Sequence, residues 1–269
     1  MGNLSKIIPT EHIYNLRDLG GMTGADGRKI KSGLLLRCSE LNGATSFDRE
    51  ILDRMVGAVV DFRSYIELVE KPDYVPAGAT HEHIPLFQDQ QKALERDMGA
   101  RRAHYEAVQQ DPAVAKEHMM NTYTRFINNP YTASQYAIFV KKLVDHKDKA
   151  VLWHCAAGKD RAGFASIIVQ TILGVSDQDI WDDYMSSNKY VEHVIPGLVD
   201  AACRFGDGSC ERANAEQAIR YLWCAYEEYL QTALDCARER YGDLRGYVRE
   251  AVGISDETVA LLREKYLEG

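Results

Sequence analysis

Residues 151–173 join an apolar stretch, a short loop and a second apolar stretch, and no other part of the sequence constrains the fold as strongly. VLWHC, residues 151–155, predicts a buried strand, because a short apolar run bounded by turn residues is typical of one. Residues 162–173 predict a buried helix that ends at Gly174. A strand that feeds directly into a helix indicates a layered α/β domain.

The rest of the chain fits that fold class. GAVVDF at 57–62 and EHIPL at 82–86 predict two more strands, and helical patterns dominate elsewhere, including one long helix over 213–240. We therefore expect an α/β fold with a mainly parallel central sheet flanked by helices.

We also expect residues 1–269 to form a single domain. The segments near 88–130 and 177–240 are longer than simple connections between elements need to be. They are predicted to be helical insertions that cover a site as a lid.

Composition excludes several functional classes. A net charge of -8 argues against a nucleic-acid partner, which requires a basic face. No apolar run is long enough to span a bilayer, and the first residues lack the apolar core of a secretory signal. Six cysteines without a CxxC pair indicate neither a disulfide framework nor a zinc site, so we expect a cytoplasmic protein without a cofactor or metal. Secretion by a route without a signal peptide is the alternative to that location.

The loop between the strand and the helix has the composition of an anion site. Small residues at Ala156, Ala157 and Gly158 let the chain curl so that backbone N–H groups can face one anion. The following helix adds its positive end, and Arg161 adds a planar fork that matches phosphate oxygens. Positive potential favours the thiolate of Cys155, which is the nucleophilic form of cysteine. The loop is not a Walker phosphate loop, because no Ser or Thr follows Gly158-Lys159.

HCAAGKDRAG, residues 154–163, resembles the signature loop of the cysteine-dependent protein tyrosine phosphatase superfamily, in the version of its bacterial tyrosine and phosphoinositide phosphatase branch. Segments 15–21, 33–41, 59–73 and 241–267 are also similar to that branch. The resemblance implies a phosphotyrosine-phosphatase-like fold and a metal-independent phosphomonoester hydrolase.

In that reaction Cys155 would attack phosphorus to give a cysteinyl-phosphate, which water then hydrolyses. Arg161 and the loop from Ala156 to Lys159 would bind the phosphate. The implied partners are phosphotyrosine proteins, with phosphoserine, phosphothreonine or phosphoinositides as further substrates.

The general acid that protonates the leaving oxygen has three candidates, since no WPD sequence occurs. Asp160 lies in the loop at the position proposed for this role in the branch, although it could instead form a salt bridge that shapes the loop. Asp61 ends a predicted strand, and Asp89 follows another.

Other residues near the loop have supporting interpretations. Lys159 either adds a second cation for substrates with several phosphates or points to solvent and balances Asp160. We expect His154, Gly163, Asp61 and Arg63 to support the loop. Arg63 either orients Asp61 or a loop carbonyl, or forms a structural ion pair with Asp61.

Two histidines and a cysteine outside the loop also carry side chains that could bind a metal or react. His81 and His83 share one face of a strand, but the sequence offers no third metal ligand near them. Cys38 is expected to be an inert core thiol, and a redox disulfide with Cys155 is left open.

Two alternative functions use the same loop. A non-catalytic module that recognises phosphorylated partners would gain nothing from an activated thiol such as Cys155. A sulfur- or arsenic-handling relative would not require Arg161 together with Lys159 and Asp160.

Overall fold

A six-stranded sheet forms the centre of the computed structural model, which describes residues 3–87, 106–108, 110–147, 149–205 and 211–269. Its strands follow the spatial order β1-β2-β4-β7-β5-β6. In chain order they are β1 (Lys6–Ile7), β2 (Arg17–Asp18), β4 (Leu35–Cys38), β5 (Val56–Asp61), β6 (Thr80–His83) and β7 (Ala150–His154). A separate two-stranded sheet pairs β3 (Lys29–Ile30) with β8 (Leu267–Glu268).

Helices surround this sheet. They are α1 (Ser46–Met55), α2 (Tyr65–Glu70), α3 (Pro112–Asn128), α4 (Pro130–Asp145), α5 (Arg161–Leu173), α6 (Asp177–Ser186), α7 (Asn188–Val191), α8 (Ile195–Phe205), α9 (Arg212–Trp223), α10 (Glu227–Tyr241), α11 (Leu244–Glu250) and α12 (Asp256–Tyr266). Short 3₁₀ turns occupy Ala25–Gly27 and Glu192–Val194.

Strands β4, β7, β5 and β6 run parallel, whereas β1 and β2 are antiparallel additions at one edge. The register aligns the last residues of the parallel strands, namely Cys38, His154, Asp61 and His83. Because parallel strands present their carboxyl ends along one edge, side chains from four separate segments meet there. The predicted α/β fold with a mainly parallel sheet is confirmed.

Each face of the sheet carries its own apolar core. On β7, Val151 and Trp153 face the larger core with α3, α4 and α5, while Leu152 faces a smaller core beneath α1. This alternation follows from the two-residue period of a strand. Helix α5 is buried along almost its whole length, as the apolar run predicts, and ends before Gly174.

Two elements differ from the predictions by more than one residue at an end. The strand expected at 82–86 occupies Thr80–His83. The helix expected over 213–240 is broken into α9 and α10, because Cys224 and Tyr226 adopt extended conformations. The side chain of Asn188 holds this break by bonding both the N–H and the carbonyl of Ala225, at 2.6 and 2.9 Å.

The two long insertions are helical where the structure describes them. Helix α3 begins at Pro112, and part of the segment near 88–130 lies outside the described residues. Helices α9 and α10 pack on α3. Within the ranges described, no helix has the length and apolarity needed to cross a membrane. The single domain and the cytoplasmic location stay predictions.

Candidate active site

The loop from Cys155 to Asp160 connects the end of β7 to the start of α5, at the edge where the parallel strands end. Cys155 is 2% exposed. Gly158 has a φ of +67°, and a Cβ there would lie 2.4 Å from the carbonyl oxygen of Cys38. Only glycine therefore fits at the turn of the loop without moving β4.

The carbonyl groups of the loop are bonded outward, to the surrounding protein. Arg37 donates to the carbonyl of Gly158 at 2.5 Å and to that of Lys159 at 3.4 Å. The carbonyl of Ala156 accepts from the backbone N–H of Glu40 and the hydroxyl of Tyr14, and that of Ala157 accepts from Asn15. Since the N–H of a trans peptide points opposite to its C=O, the amides of 157–160 are left facing the inside of the loop.

Gly163 makes room for this arrangement. A Cβ at Gly163 would lie 2.9 Å from Nη2 of Arg37, the atom that bonds the loop carbonyls. Arg37 is itself held from behind by Asp183, 3.7 Å away, which also pairs with Arg17 at 3.1 Å. Gly163 thus supports the loop by allowing Arg37 to reach it.

The guanidinium of Arg161 is paired with Glu67 of α2. Nη1 and Nη2 donate to the two carboxylate oxygens at 2.7 and 2.8 Å. The carboxylate of Glu67 also accepts from the N–H and hydroxyl of Ser64, as part of the capping box that starts α2. Burial raises the pKa of Glu67, but Arg161 and Ser64 outweigh that effect and lower it to about 2. Glu67 therefore holds Arg161 as a carboxylate across the physiological pH range.

Lys159 is buried and does not point to solvent, so that interpretation is wrong. Its ammonium donates to the carbonyls of Leu222 and Cys224 at 2.9 and 2.8 Å and lies 3.2 Å from Oδ1 of Asp160. Three acceptors match its three protons. The expectation that Lys159 balances the charge of Asp160 is confirmed by this ion pair. Binding of substrate phosphate by Lys159 stays a prediction, and it requires the ammonium to leave these acceptors.

The bonds from Lys159 to the carbonyls of Leu222 and Cys224 bring the connection between α9 and α10 against the loop. Tyr14, which bonds the carbonyl of Ala156, also contacts the ring of Trp223 with centroids 6.2 Å apart. The insertion at 177–240 therefore covers part of the loop, as the lid expectation requires.

Among the described residues, one group besides Lys159 bonds the side chain of Asp160. The buried hydroxyl of Tyr123 donates to its Oδ1 at 2.7 Å. The side chain of Asp160 is 15% exposed, so it keeps access to solvent. The predicted salt bridge between Asp160 and Lys159 is therefore present. It is compatible with a role of Asp160 as the general acid, because the same carboxyl group can pair with Lys159 and donate a proton.

Asp61 is placed differently. It is fully buried, and Arg63 donates to both of its carboxylate oxygens at 2.8–3.1 Å. Arg63 also pairs with Asp73 at 2.5 Å. These contacts support the structural ion pair. Asp89 lies outside the described residues.

His154 connects this ion-pair group to the loop. Its Nε2 lies 3.2 Å from Asp73 and 3.9 Å from Asp61. Burial lowers the pKa of His154, but the two carboxylates outweigh it and leave the pKa raised. An imidazole held between two carboxylates at the end of β7 fits the predicted supporting role.

His81 and His83 do not act together. His83 bonds the carbonyl of Arg63 at 2.8 Å, whereas His81 joins Asp61, Asp73 and His154 in a group whose ligand atoms lie within 4.8 Å of one another. The guanidinium of Arg63 already bonds both carboxylates of that group. A metal would have to compete with it, because the charge it would bring is already supplied.

Cys38 lies in β4 beside the loop and is buried. Burial raises its pKa well above the usual value, which keeps the group a neutral thiol and fits an inert core cysteine. A disulfide with Cys155 stays an open prediction.

Sequence reasoning missed several residues that hold the loop or the adjoining Arg161 in place, among them Arg37, Glu67, Tyr123 and Tyr14. Only Glu67 had a local signal, since Ser64 and Glu67 form the S-x-x-E pattern of a capping box.

Comparison with known proteins agrees with this geometry. A sequence model described as the tyrosine phosphatase family matches residues 8–268. A protein of Cupriavidus necator provisionally named a tyrosine-protein phosphatase is 29% identical over 260 residues, covering 96% of this chain and 87% of that protein. The triple specificity protein phosphatase of Mycobacterium tuberculosis is 28% identical over 276 residues, covering 93% and 95% of the two chains. A tyrosine-protein phosphatase of Nostoc commune is 22% identical over 237 residues, covering 87% and 74%. This chain therefore belongs to the tyrosine phosphatase family and is a phosphatase.

Proposed function

We propose that this phosphatase hydrolyses phosphotyrosine through a cysteinyl-phosphate intermediate on Cys155, without a metal. The observation that carries the proposal is the loop itself. Cys155 and Arg161 stand at its two ends, and its carbonyls are bonded outward, which leaves its amides facing inward. Such a ring of N–H donors next to a guanidinium stabilises the equatorial oxygens of a phosphoryl group in the transition state.

In the first step the thiolate Sγ of Cys155 attacks phosphorus as the bond from phosphorus to the ester oxygen breaks. The leaving oxygen takes a proton from a general acid, a transfer that contributes typically about 10²–10⁴-fold to the rate. Asp160 is the strongest candidate for this role, because it lies in the loop and is partly exposed, whereas both oxygens of Asp61 are bonded to Arg63.

In the second step water attacks phosphorus and the bond to sulfur breaks. The water gives its proton to the carboxylate formed in the first step, so inorganic phosphate leaves and both the thiolate and the acid are restored. Arg161, fixed by Glu67, keeps its position through both steps.

Phosphate esters other than phosphotyrosine are further candidate substrates. The expectation of activity on phosphoinositides depends on Lys159 acting as a second cation for the substrate. The contacts of Lys159 with Leu222, Cys224 and Asp160 do not favour that role. The similarity to a triple specificity protein phosphatase supports testing more than one class of phosphate ester.

The test measures phosphate release from a phosphotyrosine peptide in EDTA, with and without vanadate, for the parent and Cys155→Ser. We expect metal-independent turnover that vanadate inhibits and the serine variant lacks, and a phosphorylated cysteine in acid-quenched parent enzyme. Turnover that survives in Cys155→Ser would overturn the mechanism. Binding of the peptide without turnover by the parent would favour the recognition module. Phosphoserine, phosphothreonine and phosphoinositide substrates in the same assay define the specificity.

A further inference from the structure

Two buried tyrosine hydroxyls form a chain that ends on Asp160. Tyr123 of α3 donates to Oδ1 of Asp160 at 2.7 Å, and the hydroxyl of Tyr184 of α6 lies 2.8 Å from that of Tyr123. Both tyrosines are 1% exposed. None of the contacts already described for phosphate binding requires these hydroxyls.

The positions of the protons in this chain follow from counting donors. A tyrosine hydroxyl has one proton, and Tyr123 gives its proton to the carboxylate, which can only accept. Tyr184 must therefore donate to the oxygen of Tyr123. Burial and the nearby charge of Asp160 raise the pKa of both tyrosines, so both hydroxyls stay protonated.

The contacts also distinguish the two oxygens of Asp160. In the part of the chain that the structure describes, Tyr123 and the ammonium of Lys159 both meet Oδ1. This leaves Oδ2 as the oxygen that can carry a transferable proton. A carboxylic acid protonated on Oδ2 can still accept the bond from Tyr123 on Oδ1, so the side chain keeps one orientation in both protonation states.

We propose that Tyr123, backed by Tyr184, is a positioning residue that presents Oδ2 of Asp160 to the leaving oxygen. This inference rests on the proposed role of Asp160 as general acid. The proton moves from Oδ2 to the leaving oxygen, and the negative charge that develops on Asp160 strengthens the bond from Tyr123. Because Tyr184 donates to Tyr123, it makes Tyr123 a better donor. In the second step Asp160 takes the proton back from water.

Both tyrosines also belong to the aromatic core, so a loss of stability in their variants would not separate a role in packing from a role in positioning Asp160. Leaving-group dependence does separate them. Phenyl phosphate needs a proton on its leaving oxygen, whereas p-nitrophenyl phosphate releases a stable anion and needs it far less. A defect in proton donation therefore lowers kcat for the first substrate more than for the second.

The experiment compares kcat for both substrates in the parent, Tyr123→Phe, Tyr184→Phe and Asp160→Asn. We expect Asp160→Asn to lose about 100-fold with phenyl phosphate and much less with p-nitrophenyl phosphate. Tyr123→Phe should lose about 10-fold with phenyl phosphate and less than about 3-fold with the other, and Tyr184→Phe should show a smaller bias in the same direction.

Tyr266→Phe is the matched control, because Tyr266 is a buried tyrosine whose hydroxyl donates to the carbonyl of Leu143 at 2.8 Å. Its ratio of the two kcat values should equal that of the parent. An unchanged ratio in both Tyr123→Phe and Tyr184→Phe would overturn the inference. Should Tyr123→Phe fail to fold, the ratio in Tyr184→Phe decides.

Failure of the proposed function gives a different result. Activity in Cys155→Ser contradicts the cysteinyl-phosphate mechanism. An inactive Cys155→Ser together with an unchanged ratio in Asp160→Asn leaves that mechanism intact and overturns only the role of Asp160 and its tyrosines.

Discussion

Arg161 and Glu67 form a two-point ion pair, in which Nη1 and Nη2 of Arg161 donate to separate carboxylate oxygens at 2.7 and 2.8 Å. The pair joins the first residue of α5 to the first turn of α2. A planar fork held at two points has one orientation, whereas an arginine held at one point can rotate.

Glu67→Gln should lower kcat of the phosphatase by about 10–100-fold, since a misplaced transition-state contact costs that much. Glutamine keeps the shape of the side chain but loses its charge and one acceptor. Steady-state kinetics with an aryl phosphate measure the effect, and Glu70→Gln on the same short helix, where Glu70 is exposed, is the control. Equal activity of the two variants would contradict the assignment.

Acid stability should report on the same pair. The pKa of Glu67 is lowered to about 2 in the folded protein, against about 4.3 in an unfolded chain. A lowered pKa contributes stability that is complete above the unfolded value and is lost as the pH falls through the folded one. The difference in unfolding free energy between the parent and Glu67→Gln should therefore be constant above about pH 5 and shrink towards pH 2. Urea unfolding at a series of pH values measures it, and a difference that grows on acidification would refute the pairing.

Gly158→Ala should abolish most activity, because the new Cβ would clash with the backbone of Cys38 and displace the loop. Gly33→Ala is a matched control, since Gly33 also has a positive φ, of +78°, but nothing lies within 4 Å of its Cβ position. The control should lose only about 1–2 kcal/mol of stability and keep its kcat. Thermal unfolding and kinetics of both variants test this, and similar losses of kcat in both would show that steric clash is not the cause.

Arg37→Lys should weaken inhibition by vanadate about 10-fold. Lysine lacks the fork that reaches the carbonyl of Gly158 and Asp183 together, and a charged hydrogen bond is worth about 1.5–3 kcal/mol. The inhibition constant is the measurement, and Arg28→Lys in an exposed ion pair is the control. An unchanged constant with normal folding would mean that the loop holds its shape without Arg37.

The residues that sequence reasoning placed correctly are contiguous. Cys155, Gly158 and Arg161 lie in seven consecutive residues, so a tight loop between a strand and a helix brings them together by local geometry alone. The ends of β5 and β7 were also predictable, because the order of parallel strands fixes which residues share an edge.

The residues that it missed are brought in by packing. Arg37 and Tyr123 reach the loop from β4 and α3, and nothing in the spacing of the sequence shows which helix covers which end of the sheet. The alternative that placed Lys159 in solvent is wrong, although a lysine in a loop is usually exposed. Its burial depends on the break between α9 and α10, which frees the carbonyls of Leu222 and Cys224 to accept from it.

The acceptors around Lys159 have a consequence for how substrate arrives. Its charge is offset by Asp160, that of Arg161 is offset by Glu67, and the whole chain carries a net charge of -8. A phosphate dianion therefore approaches a protein whose overall charge repels it, and it meets attractive donors only at short range. Raising the ionic strength screens that repulsion, so the encounter rate should rise with added salt, opposite to enzymes that steer their anionic substrates over long distances.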